Sequence, residues 1–286
     1  MDQTLGEYLR ARRARISPED AGLRTHGRRR VPGLRREELA MLAGVSADYY
    51  VRLEQGRGGG VSDAVLDAVA RVLRLDEVER RHLRNLARPA RAAGRPARSQ
   101  RIRPGLRRLL DQMQGVPAFV LGRRMDILAW NRLGDAVNGF SARADGPINA
   151  ARHTFLDPEA GDLYRDWDAV AGEIVAYLRL DAGRYPDDQR LAALVGELSV
   201  HSEVFRRLWA RHDVTEKTFG RKLLRHPLVG ELDFGYETLA LPGDPDQLLV
   251  TYVVEPGSPT AERLDVLASW TAPDLAPAEP RAFDGS

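Results

Sequence analysis

The sequence predicts an N-terminal all-α domain followed by a C-terminal α+β domain. Three observations lead to this fold class. Over residues 1–88, apolar side chains recur at helical spacing between capping residues and glycines. Residues 89–105 hold five Arg, three Pro, two Gly and no acidic residue, a composition typical of an extended connector. In the rest of the chain, alternating apolar stretches typical of strands lie on either side of helical ones.

The length of 286 residues also favours two domains over one. We expect a helical domain over 1–88, a basic linker over 89–105 and a second domain over 106–270. A Pro- and Ala-rich tail over 271–286 is expected to be disordered.

Five helices are expected in the first domain. The first ends at Pro18, and a basic exposed loop is expected over 17–33. In the first helix, the arginines are expected to lie away from the apolar face. They are Arg10, Arg12, Arg13 and Arg15. Capping residues and glycines bound the other helices. The second is expected over Arg36 to Ala43, before Gly44, and the third from Ser46 to Gly56. The fourth begins at Ser62, and the fifth covers Asp76 to Arg88.

The second domain is expected to mix helices and strands. After a short helix over 106–113, two β-like runs around Gly122 predict a hairpin of strands over 118–121 and 125–130. Residues 158–212 are expected to be mostly helical, with one uninterrupted helix over 189–212. Two further strands are expected, over 230–241 and 247–256.

Charge is distributed unevenly along the chain. Residues 1–110 carry 25 Arg and 13 acidic residues, whereas the rest carries 18 basic and 28 acidic residues. A basic half joined to an acidic half indicates that the first half meets a polyanion. Ribosome-binding and membrane-binding proteins share this feature, so the class of partner has to come from a motif.

Composition excludes several kinds of site. The chain has no cysteine, which excludes disulfides, thiolate metal sites and cysteine nucleophiles. It contains no run of about 18 apolar residues, and its first residues do not resemble a secretory signal. We therefore expect a cytoplasmic, nucleoid-associated protein with no membrane partner.

The strongest local signal is the segment REELAMLAGVSADYYVRLEQGR over residues 36–57. A helix-turn-helix needs a small residue where its helices cross, a glycine in the turn and apolar anchors on the second helix. Residues of these types occur in the required order, as Ala40, Gly44, Val45, Tyr50 and Leu53. This combination, in the basic half of the chain, predicts a DNA-binding helix-turn-helix.

The segment resembles the Cro/repressor-type helix-turn-helix family, and the whole chain resembles the MmyB-like regulators of actinobacteria. The resemblance rests on GRRRVPGLRREELAMLAGVSADYYVRLEQGR in the first half. In the second half it rests on AFVLGRRMDILAWN, FRRLWARHDV and HPLVGELDFGYETLAL. It implies that the second domain has a PAS-like fold and binds a fatty-acid-like or other small hydrophobic molecule.

The resemblance also implies which side chains meet DNA. Positions at the front of the third helix would face base edges in the major groove, namely Ala47, Asp48, Val51 and Arg52. Others would contact phosphates, namely Arg36, Tyr49, Gln55 and Arg57, with Arg28, Arg29 and Arg30 in the basic loop. Two alternatives stay open: Arg52 pairs with Asp48 along the helix, and the loop is only solvated. Glu54 is expected to be structural, because it lies late in the helix beside Arg57.

The second domain holds all four tryptophans, enough aromatic area to line an apolar pocket or to fill a core. Polar residues beside these aromatics could fix a ligand carboxylate or carbonyl. The ligand-binding candidates are Trp130, Asn131, Trp167, Phe205, Arg206, Trp209 and His212. For the polar members, an ion pair or a helix cap is the other interpretation.

Two other function classes are considered. An enzyme is disfavoured, because metal-ligand spacings and nucleophile or phosphate-loop motifs do not occur, and we expect no cofactor and no metal. Lys217 and Lys222 lie in a polar stretch, with no expected burial to lower a pKa. A constitutive regulator, whose second domain only dimerises or binds a protein partner, stays open.

One helix-turn-helix reads few base pairs. We therefore expect a homodimer on a palindromic operator in double-stranded DNA.

Overall fold

The computed structural model describes residues 4–24, 33–57, 60–88, 100–143 and 146–271. Parts of the expected basic loop, linker and tail, at 25–32, 89–99 and 272–286, lie outside the described residues. The described chain divides into two compact units. The first contains the residues up to 101 together with 122–127 and 149–218, and the second contains 102–121, 128–148 and the residues from 219 on.

Five helices form what we call the head, in the first unit. They are Leu5–Arg13 (α1), Arg36–Ala43 (α2), Ala47–Glu54 (α3), Asp63–Val72 (α4) and Glu77–Ala87 (α5). Three expected boundaries are confirmed: Gly44 ends α2 with φ at 69°, and the hydroxyls of Ser46 and Ser62 accept bonds from the first turns of α3 and α4. The first helix ends at Arg13, before the expected end at Pro18. Tyr8, Leu39 and further apolar side chains of all five helices form one buried core.

One arginine of α1 departs from the expectation. Arg12 is buried, so the prediction that all four arginines lie away from the buried face is wrong for this residue. Its guanidinium lies over the Tyr8 ring, with 5.2 Å to the centroid, and pairs with Glu79 of α5 at 2.6 Å. A buried cation is tolerated because it is paired in this way.

The remaining helices of the described chain alternate with short connections. They are Pro104–Gln112 (α6), Arg132–Asn138 (α7), Ala150–Leu156 (α8), Ala160–Leu163 (α9), Trp167–Arg184 (α10), Gln189–His201 (α11), Glu203–Trp209 (α12) and Pro259–Trp270 (α13). Helices α8 to α12 belong to the first unit, and the others belong to the second. Helix α10 packs against α5 of the head and against α12.

The single helix expected over residues 189–212 is wrong. Ser202 adopts an extended conformation, with φ at −129° and ψ at 113°, which ends α11. The Ser202 hydroxyl accepts a hydrogen bond from the Phe205 amide and caps α12. The apolar period continues across the break because both helices bury side chains, including Leu198 and Phe205.

A five-stranded antiparallel sheet forms the second unit with α6, α7 and α13. Its strands are Ala118–Leu121 (β1), Ile127–Trp130 (β2), Phe219–His226 (β3), Gly230–Ala240 (β4) and Leu248–Val253 (β5), in the order β2-β1-β5-β4-β3. The expected hairpin is confirmed, and the Asn131 amide donates to the Ala118 carbonyl at its end. Leu106 and Leu110 of α6 pack on one face of the sheet.

Strand β3 was not expected, because FGRKLLRH contains four basic side chains in eight residues. It pairs along its whole length with β4, from Phe219 opposite Glu237 to His226 opposite Gly230. Lys222 is buried on this strand, and its ammonium lies 5.7 Å from the centroid of the Tyr236 ring. The expectation that Lys222 has no apolar burial is therefore wrong. A lysine can bury its aliphatic stem along apolar surface, which a reading of its polar neighbours in sequence does not reveal.

The expectation for the second lysine is wrong as well. Lys217 lies in the first unit, in the connection that follows α12. Desolvation by burial lowers the pKa of Lys217, and the nearby Glu173 carboxylate opposes that shift. A polar neighbourhood in sequence therefore does not keep this ammonium in water.

Candidate nucleic-acid interface and ligand-binding region

Helices α2 and α3 form the expected helix-turn-helix. Ala40 is buried where the helices cross, and Tyr50 and Leu53 are fully buried beneath α3. The side chains of Asp48 and Arg52 are exposed on the outer face of α3. Ala47 and Val51 of the same helix are half-buried. The helix thus presents the expected set of base-reading candidates on one side while its anchors point inward.

Arg52 does not pair with Asp48 in the described structure. Its guanidinium lies over the ring of Tyr49, with 6.0 Å to the centroid. This distance is at the outer limit of a cation–π contact, so it holds the side chain weakly.

Three of the phosphate candidates come together at one groove, whereas Tyr49 does not line it. Arg36, Gln55 and Arg57 line a groove of about 400 Å³, which Arg10 of α1 also lines. Arg10 was not among the predicted phosphate contacts, because it belongs to α1, which precedes the motif in the chain. Its Nε donates a hydrogen bond to the Gly6 carbonyl, one turn earlier on α1. Arg28, Arg29 and Arg30 lie outside the described residues.

Glu54 has structural partners, and they come from α1 and α2 rather than from its neighbour Arg57. Its buried carboxylate accepts from Arg13 Nε at 2.8 Å and from Arg36 Nε at 2.7 Å, rather than from Arg57. Burial raises the pKa of Glu54, yet the bonds and charges of the two arginines outweigh it, and the pKa lies below its usual value. The carboxylate therefore stays charged and fixes Arg36 at the rim of the groove.

An aromatic cluster lies in the first unit, away from the head's motif helices. Phe155 meets the rings of Trp167 and Phe205 edge-on, at 5.8 and 5.1 Å between centroids. Phe205 is fully buried and stacks on Trp209 at 5.6 Å. The indole nitrogen of Trp167 donates to the Thr154 carbonyl. The ligand-binding candidates Trp167, Phe205 and Trp209 thus lie in one aromatic cluster with Phe155.

The polar candidates of this region have protein partners. Arg206 is exposed and donates to the carbonyl of Ser199. His212 Nδ1 lies 3.0 Å from Arg179, whose guanidinium covers the Trp209 ring at 4.0 Å. Burial, followed by the charge of Arg179, lowers the pKa of His212 to about 4. The imidazole is therefore neutral near pH 7.

Trp130 and Asn131 belong to the second unit. The Trp130 ring packs against Phe140 at 5.3 Å. The buried Asn131 amide donates to the Met113 and Val116 carbonyls, and its oxygen accepts from the amides of Ala118 and Gly134. An Asn side chain satisfied in this way caps α7 and joins two loops.

A second groove, of about 390 Å³, runs along α10 in the first unit. Its apolar lining comes from α10, from Leu208 and from Val214. Its polar lining comes from three carboxylates, one guanidinium and one hydroxyl, namely Asp168, Glu173, Asp213, Arg211 and Thr215. No sequence signal singled out these residues, since they are brought together by the break at Ser202 and the turn after α12.

Comparison with known families agrees with this geometry. Residues 4–83 match a helix-turn-helix domain family, and residues 102–267 match the MmyB-like transcription regulator ligand binding domain. The chain belongs to the MmyB-like transcription regulators. It is a DNA-binding transcriptional regulator with a ligand-binding domain, and both families are regulatory. No curated protein matches the sequence of this MmyB-like regulator.

Across the described ranges, no helix of this MmyB-like regulator combines the length and the apolar character needed to span a bilayer.

Proposed function

We propose that this MmyB-like regulator is a homodimer that reads a palindromic operator through α3 and responds to a small hydrophobic, fatty-acid-like molecule. The observation that carries the DNA part is the juxtaposition of Arg52, exposed on α3, with the groove lined by Arg10, Arg36 and Arg57. A guanidinium reads guanine through two hydrogen bonds, whereas a cluster of arginines holds phosphates. The proposal places the protein in the cytoplasm at the nucleoid.

In this proposal Ala47, Asp48, Val51 and Arg52 read bases. Arg36, Tyr49, Gln55 and Arg57 contact phosphates, joined by Arg10. One α3 covers only a few base pairs, so two-fold pairing supplies the specificity, with half-sites about one helical turn apart.

Operator binding by variants tests the DNA part. Operators are selected from random duplexes with the wild type, and the affinity for operator and scrambled DNA is then measured at two salt concentrations. Arg52→Ala should lose about 1–3 kcal/mol of discrimination between the two DNAs. Arg57→Ala should weaken binding to both DNAs equally and reduce the salt slope by about one.

The matched control is Arg71→Ala, because Arg71 is exposed on α4 and lines neither groove. This variant should behave as the wild type. Equal affinity of the wild type for operator and scrambled DNA, or full discrimination by Arg52→Ala, contradicts the proposed reading. A selected site without two-fold repetition contradicts the dimer.

The groove along α10 supports the ligand part. Its volume of about 390 Å³ falls within the usual range of small-molecule sites. Val175, Ala176 and Val214 supply buried apolar surface, and Arg211 supplies a cation at its rim. Arg211 pairs with Asp213 at 3.0 Å, so a ligand carboxylate would share this arginine with Asp213. The five-stranded antiparallel sheet supports the PAS-like fold of the same domain.

Filling the groove tests the site. A Cβ on Gly172 meets no atom within 4 Å, so Gly172→Leu extends a side chain into the groove without a backbone clash. Binding of a labelled long-chain fatty acid should be lost in this variant and retained in Gly196→Leu, the matched exposed glycine of α11. Binding retained by Gly172→Leu contradicts this site. A wild type that binds no fatty acid, and whose operator affinity no fatty acid changes, favours the constitutive regulator instead.

A further inference from the structure

A buried polar contact joins the head to helix α10. On α1, Arg12 and Tyr8 point away from the motif helices, toward α5 and the turn after α12. Arg12 donates to the His212 carbonyl at 3.1 Å while it pairs with Glu79. Neither Tyr8 nor Arg12 lines the arginine groove, and Arg52 is exposed, so these contacts involve none of the side chains proposed to meet DNA.

Helix α10 meets this surface with two residues one turn apart, Arg179 and Gly183, which share a face of the helix. Arg179 is the largest fully enclosed side chain, at 2% exposure, and it donates to the Trp209 carbonyl and contacts His212 Nδ1 at 3.0 Å. These bonds fix the turn over 209–213. The same turn presents the His212 carbonyl to Arg12 of the head.

Gly183 permits the close approach of α10 to α5. A Cβ at this position would lie 2.4 Å from Cε1 and 2.6 Å from Nδ1 of His82. The His82 ring is fully buried and stands edge-on to Tyr8 at 5.0 Å. Here the two helices touch through a glycine and an imidazole, with no room for a methyl group.

Ion pairs surround this buried contact. Arg15, two residues after the end of α1, pairs with Asp213 at 2.6 Å, and Arg81 of α5 pairs with Glu216 at 2.6 Å. Asp213 also lines the groove along α10, together with Arg211. A molecule in that groove would therefore touch the segment that holds the head.

We propose that Tyr8, Arg12, His82, Arg179, Gly183 and His212 form a joint that fixes the head on α10 and transmits changes in the turn 209–213 to operator binding. The inference rests on the proposed function, because the transmitted signal is the affinity for an operator. Arg179 and Gly183 are positioning residues, since they act on DNA only through the placement of the head. If the head is already fixed, operator binding does not have to pay the entropy cost of ordering it. A fixed head therefore binds its half-site more tightly than a loose one.

A cycle of variants in the full chain tests the joint. Gly183→Ala forces α5 and α10 apart and should lower operator affinity roughly ten-fold, as expected when a preorganised head becomes loose. Hydrogen–deuterium exchange should accelerate in α5 and in the second half of α10, while α3 keeps its protection. Nonspecific binding to scrambled DNA should stay unchanged, because the arginines of the head are intact.

The double variant separates a steric effect from a loss of folding. His82→Ala removes the ring that a Cβ on residue 183 would strike, so adding Gly183→Ala to His82→Ala should cost little further affinity or protection. Gly196→Ala is the control, because a Cβ there meets no atom within 4 Å and its exchange and affinity should match the wild type.

Additive losses in the double variant, or a Gly183→Ala protein with wild-type exchange in α5 and α10, overturn the joint. If Gly183→Ala accelerates exchange but leaves operator affinity unchanged, the proposed coupling between the joint and operator binding is overturned. If the wild type selects no operator, the proposed function fails and the signal with it, whereas the exchange data still decide whether the joint exists.

Discussion

At the scale of single residues, Glu54 links the head's fold to the surface proposed to bind DNA. Its carboxylate is 1% exposed and accepts bonds from Arg13 and Arg36. Arg13 also donates to the Leu34 carbonyl at 2.6 Å, which ties the segment before α2 to α1. Arg36 is 45% exposed, so solvent screens its ion pair with Glu54 more strongly than it screens the ion pair between Arg13 and Glu54.

Glu54→Gln should destabilise the head, because a neutral amide leaves the half-buried guanidinium of Arg13 without its counter-charge. We expect a loss of about 2–3 kcal/mol in the free energy of unfolding, below the roughly 3–5 kcal/mol of a fully buried pair because solvent reaches both arginines. Chemical denaturation followed by circular dichroism measures it. Glu37→Gln, at an exposed acidic residue of the same helix as Arg36, is the control and should change stability by less than about 0.5 kcal/mol. Equal stability of the two variants would contradict the structural role of Glu54.

Sequence reasoning at this scale separated anchors from surface but could not pair residues distant in the chain. Tyr50 and Leu53 were placed inside from their helical spacing, and the structure confirms both. The pairing of Glu54 with Arg13 joins residues 41 positions apart, and no local pattern specifies it. Its position beside Arg57 indicated a structural role for Glu54 but did not identify Arg13 and Arg36 as its partners.

At the scale of elements, α1 seats against the end of α3 through a glycine. A Cβ on Gly6 would lie 1.8 Å from the Glu54 carbonyl oxygen and 2.8 Å from its carbon. A glycine inside a helix ordinarily lowers stability relative to alanine. Here the close approach of two backbones reverses that rule, because the clashing atom belongs to main chain that cannot rotate away.

Gly6→Ala should therefore lower stability where helix propensity alone would raise it. We expect a loss of about 3 kcal/mol in the unfolding free energy of the head, as for other overpacked sites. Gly196→Ala in α11 is the matched substitution in open space and should be neutral or stabilising by up to about 1 kcal/mol. Thermal unfolding of the two variants decides the matter, and a Gly6→Ala protein as stable as the wild type would show that α1 can shift without loss.

The elements themselves differed in how well the sequence predicted them. Those with a capping residue or a stop glycine were predicted within a residue or two, as at Gly44, Ser46 and Ser62. Strand β3 was missed because an edge strand carries charged side chains on one face and at its rim, which hides its alternation. The break at Ser202 was missed because the apolar period runs through it, although a serine followed by an acidic residue is itself a cap signal.

At the scale of the whole molecule, the candidate site could be predicted only in part. The motif over 36–57 predicted the helix-turn-helix, and the spacing on α3 predicted its exposed positions. The groove along α10 and the joint could not be predicted, because they bring together segments from α1, α5, α10 and the turn after α12. Such contacts follow from the packing of helices, which leaves no periodic mark in sequence.

The joint also gives the protein a dependence on pH. Desolvation by burial, followed by the charges of Arg179 and Arg12, lowers the pKa of His82 from 6.5 to about 3. His212, which faces Arg179, Arg12 and Arg15 as well as the opposing Glu7, has its pKa lowered to about 4. In the unfolded chain both imidazoles take up protons below about pH 6.5, whereas the folded joint keeps them neutral. The unfolded state thus binds more protons, and stability falls as the pH falls.

As the pH falls from 7 to 5, we expect the unfolding free energy to decrease by about 1–2 kcal/mol per pH unit. This slope is smaller than the one that two fully buried histidines would give, because His212 is only partly buried and solvent screens it. Urea denaturation followed by tryptophan fluorescence measures the slope, since Trp209 lies at the joint. His82→Gln removes one of the two titrating rings and should reduce the slope by at least half. The exposed His201, replaced by Gln, is the control and should leave the slope as it is. A wild type whose stability is flat over this range, or a His82→Gln protein with the full slope, would show that protons do not act on the protein through the contact between the head and α10.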